Sequence, residues 1–324
     1  MKSNFHIVSD GNLERHENTV YFVNAKGKRP IPIENIQQIS CHGSISLTSQ
    51  ALHLFSKKGI LVHFFNYYGF YDGSYYPRET LLSGELLVKQ VSHFLDERKR
   101  LEIAKKFVKG SIGNMRKTIA EYKIEGKNEV LSSLSQEVDN CCNTVNLMNV
   151  EARSRIEYYN CFQNIIKGDL KFEKRTKQPP QNEINTMISF GNSLLYSTVL
   201  SELYNTQLNP TISYLHEPGE RRFSLSLDLA ELFKPLIVDR LIFYLVNKRI
   251  VKKKDFKGDL KGVLFTEKGK RTFLKYYEEK LQTTIKHRGL RRRISYQRLI
   301  RLEAYKLIKH LLGVKLYKPF VIWW

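Results

Sequence analysis

The feature that most constrains the fold is a change of hydrophobic period about one quarter of the way along the chain. Short segments rich in branched and aromatic residues, such as Thr19–Val23 and Ile60–Phe65, predict β-strands before this point. From Gly84 onward, apolar residues recur at the spacing of amphipathic helices. We therefore predict an α+β protein, in which a small N-terminal β-rich domain is followed by a larger all-α domain.

The boundary between the two parts is predicted at the turn-rich segment 72–77. Within the first part, Ser46–Lys58 is predicted to form one short helix, because its apolar residues fall on one face. In the second part, three loops are expected to interrupt the helices, at residues 174–183, 209–222 and 255–262. The predicted organisation is a β-domain over residues 1–76, a linker over 77–85 and a helical domain over 86–324.

The charge of the chain indicates an anionic partner. Lys and Arg total 53 against 32 Asp and Glu, which gives a net charge of +21. The segment 240–324 holds 24 Lys and Arg but only 6 Asp and Glu, so most of the excess lies there. In that segment basic residues flank aromatic ones, as in Lys275–Tyr277 and Arg293–Tyr296. Such pairs suit a DNA surface, although each ring taken singly is more typical of a helix core.

Several classes of protein are disfavoured. Four cysteines without a CxxC pair argue against a disulfide scaffold and a zinc ribbon. The N-terminus has no apolar run typical of a signal peptide, and the apolar segment Leu236–Val246 is too short to span a bilayer. The sequence also lacks the motifs of phosphate-loop NTPases, zincins and serine hydrolases. We therefore expect a cytoplasmic protein that does not cross a membrane.

Three segments carry side chains suited to metal chemistry. Glu151 lies near the start of a predicted helix, where a salt bridge to Arg155 is an equally good interpretation. His216 precedes a Pro-Gly turn within Tyr214–Arg222, and a capping or core role is the alternative for it. These two residues are weak candidates when each is considered alone.

The third segment begins a long helix. Asp228 and Glu231 share a helix face, so they repel each other unless a cation lies nearby. A solvated acidic first turn is the alternative interpretation. Carboxylate and imidazole donors from the three segments suit Mg²⁺ or Mn²⁺ better than a metal that prefers thiolates. Such a metal can polarise a phosphodiester.

The pattern resembles the CRISPR-associated adaptation integrases, the Cas-one family, over essentially the whole chain. The most specific resemblance runs from His216–Gly219 through Leu229–Pro235. Further similar segments are Gly43–Ser46, Arg175–Pro180, Asn185, Phe190–Tyr196 and Tyr317–Phe320. The chain differs from the usual family pattern in having Asn149 and Ala152 near the first glutamate, where glycines are common, and Glu231 where many relatives carry Asp.

The resemblance implies a function and a set of ligands. It implies a DNA integrase and endonuclease that inserts short foreign fragments into a CRISPR array, a step called spacer acquisition that gives antiviral defence. Each step would be a transesterification by a 3′-hydroxyl. Glu151, His216 and Glu231 would be catalytic residues that hold Mg²⁺ or Mn²⁺, and Asp228 would either support one of these ligands or be an alternate ligand. The implied partners are DNA, a second copy bound through the β-domain and the small Cas-two protein.

Two other readings of the sequence stay open. The first is a noncatalytic, basic nucleic-acid-binding protein whose acidic residues are structural. The second is a membrane-surface protein that binds through the basic segment 240–324. For DNA contacts, charge density alone selects Lys252, Lys253, Arg291 and Arg292.

Overall fold

The structure is a computed structural model that describes residues 3–124, 126–220, 223–259, 262–287 and 289–323. Two four-stranded sheets and one helix form the N-terminal part. Its elements are β1 (Ser3–Ile7), β2 (Gly11–His16), β3 (Thr19–Asn24), β4 (Gly27–Ile31), β5 (Ile36–Cys41), β6 (Ile45–Leu47), α1 (Ser49–Lys58), β7 (Leu61–Phe65) and β8 (Tyr71–Tyr75). The α+β class and the order of its two parts are confirmed.

The two sheets enclose their own apolar core. One sheet has the order β1-β5-β7-β8, with only the β7–β8 pair antiparallel, and the other has the order β4-β3-β2-β6. Leu13, Val20, Ile39, Phe55 and Val62 are buried between them and α1. The core of the helical part is separate and already includes Phe65. The change of hydrophobic period in the sequence therefore coincides with the boundary between two separate apolar cores.

The predicted start of α1 was wrong. Residues 45–47 form strand β6, which pairs in parallel with β2, and the helix begins only after Thr48. The Thr48 side chain accepts a hydrogen bond from the backbone N–H of Ala51 and so caps the first turn. Gly59 ends the helix in the left-handed conformation, at φ 64°, which costs glycine little. The apolar spacing predicted too early a start for the helix because Leu47 fits the same spacing.

Helices dominate the chain after Gly84. They are α2 (Gly84–Leu95), α3 (Glu97–Glu121), α4 (Lys127–Asn140), α5 (Thr144–Asn160), α6 (Phe162–Ile165), α7 (Glu183–Tyr204), α8 (Ser224–Phe233), α9 (Arg240–Asn247), α10 (Glu267–Gln282) and α11 (Tyr296–Leu311). Two short hairpins, β9 (Phe256–Asp259) with β10 (Gly262–Phe265) and β11 (Thr284–His287) with β12 (Arg292–Ser295), lie among them. The expected loop at 255–262 is therefore partly a hairpin, and the second part is not all-α. The predicted boundaries 1–76, 77–85 and 86–324 stay a prediction.

A π-helix, Lys234–Asp239, joins α8 to α9 and shapes the region around Glu231. Pro235 has no N–H, so it cannot donate to the carbonyl of Glu231 as a helical residue would. Ser111 of α3 donates to that carbonyl instead, at 3.0 Å, and Asn114 donates to the carbonyl of Leu232 at 2.9 Å. These bonds hold α8 firmly against α3.

Within the described ranges, no helix is both long enough and apolar enough to cross a bilayer.

Candidate metal centre

His216 is held by Asp228. The Nδ1 atom of His216 donates to Oδ1 of Asp228 at 2.8 Å, which orients the ring. Asp228 is fully buried and also accepts three backbone N–H bonds, from Tyr214, Leu215 and His216, at 2.7–3.0 Å. The Asp228 carboxylate therefore binds the backbone of the segment that precedes the Pro-Gly turn. Because Nδ1 donates to Asp228, Nε2 is the ring nitrogen that is available to a metal.

Glu231 projects from α8 into a buried position between two cations. Its Oε2 accepts a hydrogen bond from Nη2 of Arg155, and its Oε1 accepts one from Nζ of Lys234. The side chain of Glu231 is only 7% exposed and that of Arg155 only 12%. Burial opposes ionisation, but the charges of Lys234 and Arg155 outweigh it and lower the pKa of Glu231. Glu231 is therefore held as a carboxylate.

Glu151 approaches the same place from α5. Its Oε1 lies 3.6 Å from Nε of Arg155, so the intrahelical ion pair considered from the sequence does form. Burial, and after it the negative charge of Glu231, raises the pKa of Glu151, while Arg155, Lys234 and His216 oppose this shift. The structure thus brings Glu151, His216 and Glu231 within electrostatic reach of one another.

Some of the same neighbours also shift the pKa of His216. Burial alone would lower the pKa of His216, but its bond to Asp228 and the charges of Asp228 and Glu231 raise it. Glu231 therefore influences the pKa of both Glu151 and His216. That the three side chains converge on one ion stays a prediction.

The described residues include no group of three His, Cys, Asp or Glu side chains already placed to hold a metal ion. Arg155 and Lys234 instead neutralise Glu231. Carboxylate with imidazole is a donor set that Mg²⁺ or Mn²⁺ accepts. The residues present therefore fit such an ion in charge and chemistry.

Asp228 contacts the segment that carries His216. All four of its described hydrogen bonds go to the 214–216 segment, so it shapes the loop and orients His216. Of the two acids, it is Glu231 that Arg155 and Lys234 contact.

Sequence reasoning missed one further buried acid beside Arg155. Asp239, at the end of the π-helix, is 1% exposed, and burial raises its pKa to about 7 against the opposing charge of Arg155. Its Oδ2 atom and Nη1 of Arg155 are buried without a hydrogen-bond partner in the described part of the chain. The spacing between Glu231 and Asp239 could have predicted that both lie on one helical segment. It could not have predicted that Asp239 lies beside Arg155.

The four residues selected for DNA contact are exposed and lie in two different places. Lys252 and Lys253 precede and begin a short 3-10 helix, whereas Arg291 and Arg292 lie at the hairpin of β11 and β12. Their role stays a prediction. Arg221 and Arg222, which end the His216 segment, lie outside the described residues.

Comparison with known proteins identifies the family. The sequence profile described as CRISPR associated protein Cas1 matches residues 5–279. This chain belongs to the Cas1 family. It is 57% identical to CRISPR-associated protein Cas1 1 of Methanobrevibacter ruminantium over 100% of this chain and 99% of that protein. It is 52% identical to CRISPR-associated endonuclease Cas1 of Methanocaldococcus jannaschii, over 99% of each chain.

The fold agrees with this membership. A Cas1 protein structure from Thermotoga maritima superposes with a TM-score of 0.91 at 40% identity, covering 97% of this chain and 98% of that one. A structure described as a casposase bound to integration product shares the fold at 21% identity, with a TM-score of 0.89 over 99% of this chain and 93% of that one. The resemblance stated from the sequence to the Cas1 family is confirmed.

The Asp228→Asn change tests the orienting role of this carboxylate. We expect Mn²⁺ affinity to fall by about 10–100-fold, because an amide holds the His216 ring and the loop less firmly than a carboxylate. Mn²⁺ binding followed by electron paramagnetic resonance measures it. Glu217→Gln is the matched control, since it removes a negative charge next to His216 from a side chain that is 62% exposed. Equal losses in both variants would contradict the orienting role.

Proposed function

We propose that this chain is a metal-dependent DNA integrase and endonuclease that inserts short foreign DNA fragments into a CRISPR array. The observation that supports it is the convergence of Glu151, His216 and Glu231 in a member of the Cas1 family. The endonuclease names of its relatives favour this role over a noncatalytic nucleic-acid-binding protein.

The proposed ligands are Glu151, His216 and Glu231, with Mg²⁺ or Mn²⁺ as the ion. When bound, the ion would supply Lewis-acid stabilisation of the charge that develops on a phosphodiester. Arg155 and Lys234 keep the Glu231 carboxylate ionised, and Asp228 keeps Nε2 of His216 available. The attacking group in joining is a DNA 3′-hydroxyl, so each exchange conserves the number of phosphodiester bonds and uses no ATP. Water in its place turns joining into cutting.

The proposed partners follow from the charge and the family. The net charge of +21 suits DNA, and Lys252, Lys253, Arg291 and Arg292 are proposed phosphate contacts. A homodimer through the β-domain and assembly with the small Cas2 protein are proposed on the same family basis, as is a cytoplasmic location.

Strand transfer tests the proposal directly. A labelled short duplex is incubated with the full chain, the Cas2 companion and a supercoiled plasmid that carries a repeat array. We expect joined product with Mg²⁺ or Mn²⁺, and no product with EDTA or with a 3′-dideoxy end. A DNA shift without joining under every metal condition would support the noncatalytic role. Equal joining by the dideoxy duplex would contradict the 3′-hydroxyl chemistry.

A further inference from the structure

A cleft of about 540 Å³ opens between the C-terminal end of α3, α9 and α10. None of the candidate metal ligands lines it. Its size falls within the range of small-molecule sites in proteins. Its lining combines half-buried cations with tyrosine rings, and these two features suit two parts of one ligand.

The cations are Arg240 and Lys280. The side chain of Arg240 is only 9% exposed, and its Nη2 lies 2.9 Å from Oε2 of Glu121 without hydrogen-bond alignment. Its Nε donates to Thr118 at 3.3 Å. Burial, and after it the charge of Arg240, lowers the pKa of Lys280 to about 8. These two half-buried cations therefore lie in one cleft with a single nearby carboxylate, Glu121, that is 56% exposed.

At its inner end the cleft holds more positive charge than negative charge. Partly burying two like charges near each other costs free energy that a half-exposed carboxylate only partly offsets. At the rim, Lys248 adds a third positive charge and Glu279 a second negative one. Since Glu279 is exposed and lies 3.9 Å from Lys275, it does little for the inner pair. A phosphate group would complete the inner end with charge-assisted hydrogen bonds.

The walls are aromatic. Tyr122, Tyr244 and Tyr276 line the cleft, and the rings of Tyr244 and Tyr276 lie 6.0 Å apart between centres. Tyr244 is 47% exposed although its helix is otherwise largely buried. Of the rings that flank basic residues in the sequence, Tyr277 and Tyr296 are core residues, at 0% and 2% exposed, whereas Tyr276 faces this cleft. Exposed rings beside cations are suited to stacking on nucleobases.

We propose that this cleft binds a single nucleotide, with the base against the tyrosine rings and the phosphate at Arg240 and Lys280. The ligand class is a nucleoside 5′-monophosphate, either free or as the end of an unpaired DNA strand. A base inside a duplex is already stacked on its neighbours, so the rings could not reach its faces. This site is separate from the proposed metal centre, and the two proposals fail independently.

Calorimetric titration of the full chain in EDTA tests it, with dAMP, deoxyadenosine and inorganic phosphate as probes. We expect dAMP to bind at least about 10-fold more tightly than either of the other two, because only dAMP engages both rings and cations. Lys280→Gln and Tyr244→Ala should each weaken dAMP about 10-fold or more. Glu231→Gln should leave dAMP binding unchanged, which separates this site from the metal centre.

Matched controls remove similar groups elsewhere. Tyr67→Ala removes a tyrosine that is 59% exposed, and Lys26→Gln removes an exposed lysine, so both should bind dAMP like the unmodified chain. Phosphate binding as tight as dAMP, or no effect of Tyr244→Ala, would overturn the proposal.

A 5′-phosphorylated trinucleotide then distinguishes the two sources of the ligand. Binding at least about 10-fold tighter than dAMP, and equally dependent on Tyr244, supports the end of an unpaired strand. Binding no tighter than dAMP, with the same dependence, supports a free nucleotide. Tighter binding that does not depend on Tyr244 counts against the cleft as the site.

Discussion

Glu231→Gln is expected to lower Mn²⁺ affinity and DNA strand transfer by at least about 100-fold, since loss of an outer-shell partner alone costs about 10–100-fold. The substitution keeps the size of the side chain but removes the charge that faces Arg155 and Lys234. It also removes the proposed ligand from the most buried position of the centre. Metal binding by electron paramagnetic resonance and the plasmid joining assay measure the two effects.

Two further variants separate ligand loss from loss of folding. Glu231→Asp keeps the charge with a shorter reach, so it should retain folding and part of the joining activity. Glu157→Gln is the matched control, because Glu157 lies on α5 but pairs with Lys127 at 2.7 Å. Full joining by Glu231→Gln, or loss of joining in Glu157→Gln to the same degree, would refute the assignment. Thermal unfolding in EDTA shows whether the Gln variant is folded.

The sequence predicted the broad fold because hydrophobic period is a local property. The strand Ile60–Phe65 and the helices after Gly84 could be read from spacing alone. The start of α1 could not, because residues 45–47 are strand only through pairing with β2. The two late hairpins were missed for a related reason: their four-residue strands are too short to show a period.

The candidate site was predicted as a set of residues rather than as an arrangement. Glu151, His216 and Glu231 are far apart in sequence, so their donor types suggested a shared ion and only the family resemblance implied that they form one set of ligands. The helical spacing of Asp228 and Glu231 offered either a nearby cation or a solvated acidic turn, and Arg155 and Lys234 contact Glu231. It could not reveal that Asp228 turns toward the backbone of 214–216, because that contact depends on how the loop packs on α8.

A buried ion pair at the junction of the two parts gives the largest expected effect on stability. Glu202 of α7 is 1% exposed, and its Oε2 accepts a hydrogen bond from Nε of Arg301 at 2.6 Å. Its Oε1 accepts bonds from Gln37 of β5 and Gln297 of α11, at 2.7 and 3.0 Å. One carboxylate therefore ties a strand of the N-terminal sheet to two helices of the second part.

Glu202→Ala is expected to lower the free energy of unfolding by about 3–5 kcal/mol, the cost of breaking a buried pair by removing one partner. The loss arises because Arg301, which is only 18% exposed, keeps its charge without a counter-ion, and two buried amides lose an acceptor. Urea unfolding followed by circular dichroism measures it. Glu34→Ala is the control: its pair with Lys58 is 69% exposed on the Glu34 side, so about 0–1 kcal/mol is expected.

The cause of the loss of stability can be tested by also removing Arg301, the cation that is left without a counter-ion. If an uncompensated guanidinium causes most of it, the double change Glu202→Leu with Arg301→Leu should be more stable than Glu202→Leu alone, since apolar replacements of a buried pair are often close to neutral. A Glu202→Ala loss below about 1 kcal/mol would mean that water replaces the carboxylate easily. The pair would then contribute little to holding the β-domain sheet on α7 and α11, and apolar packing would have to do so.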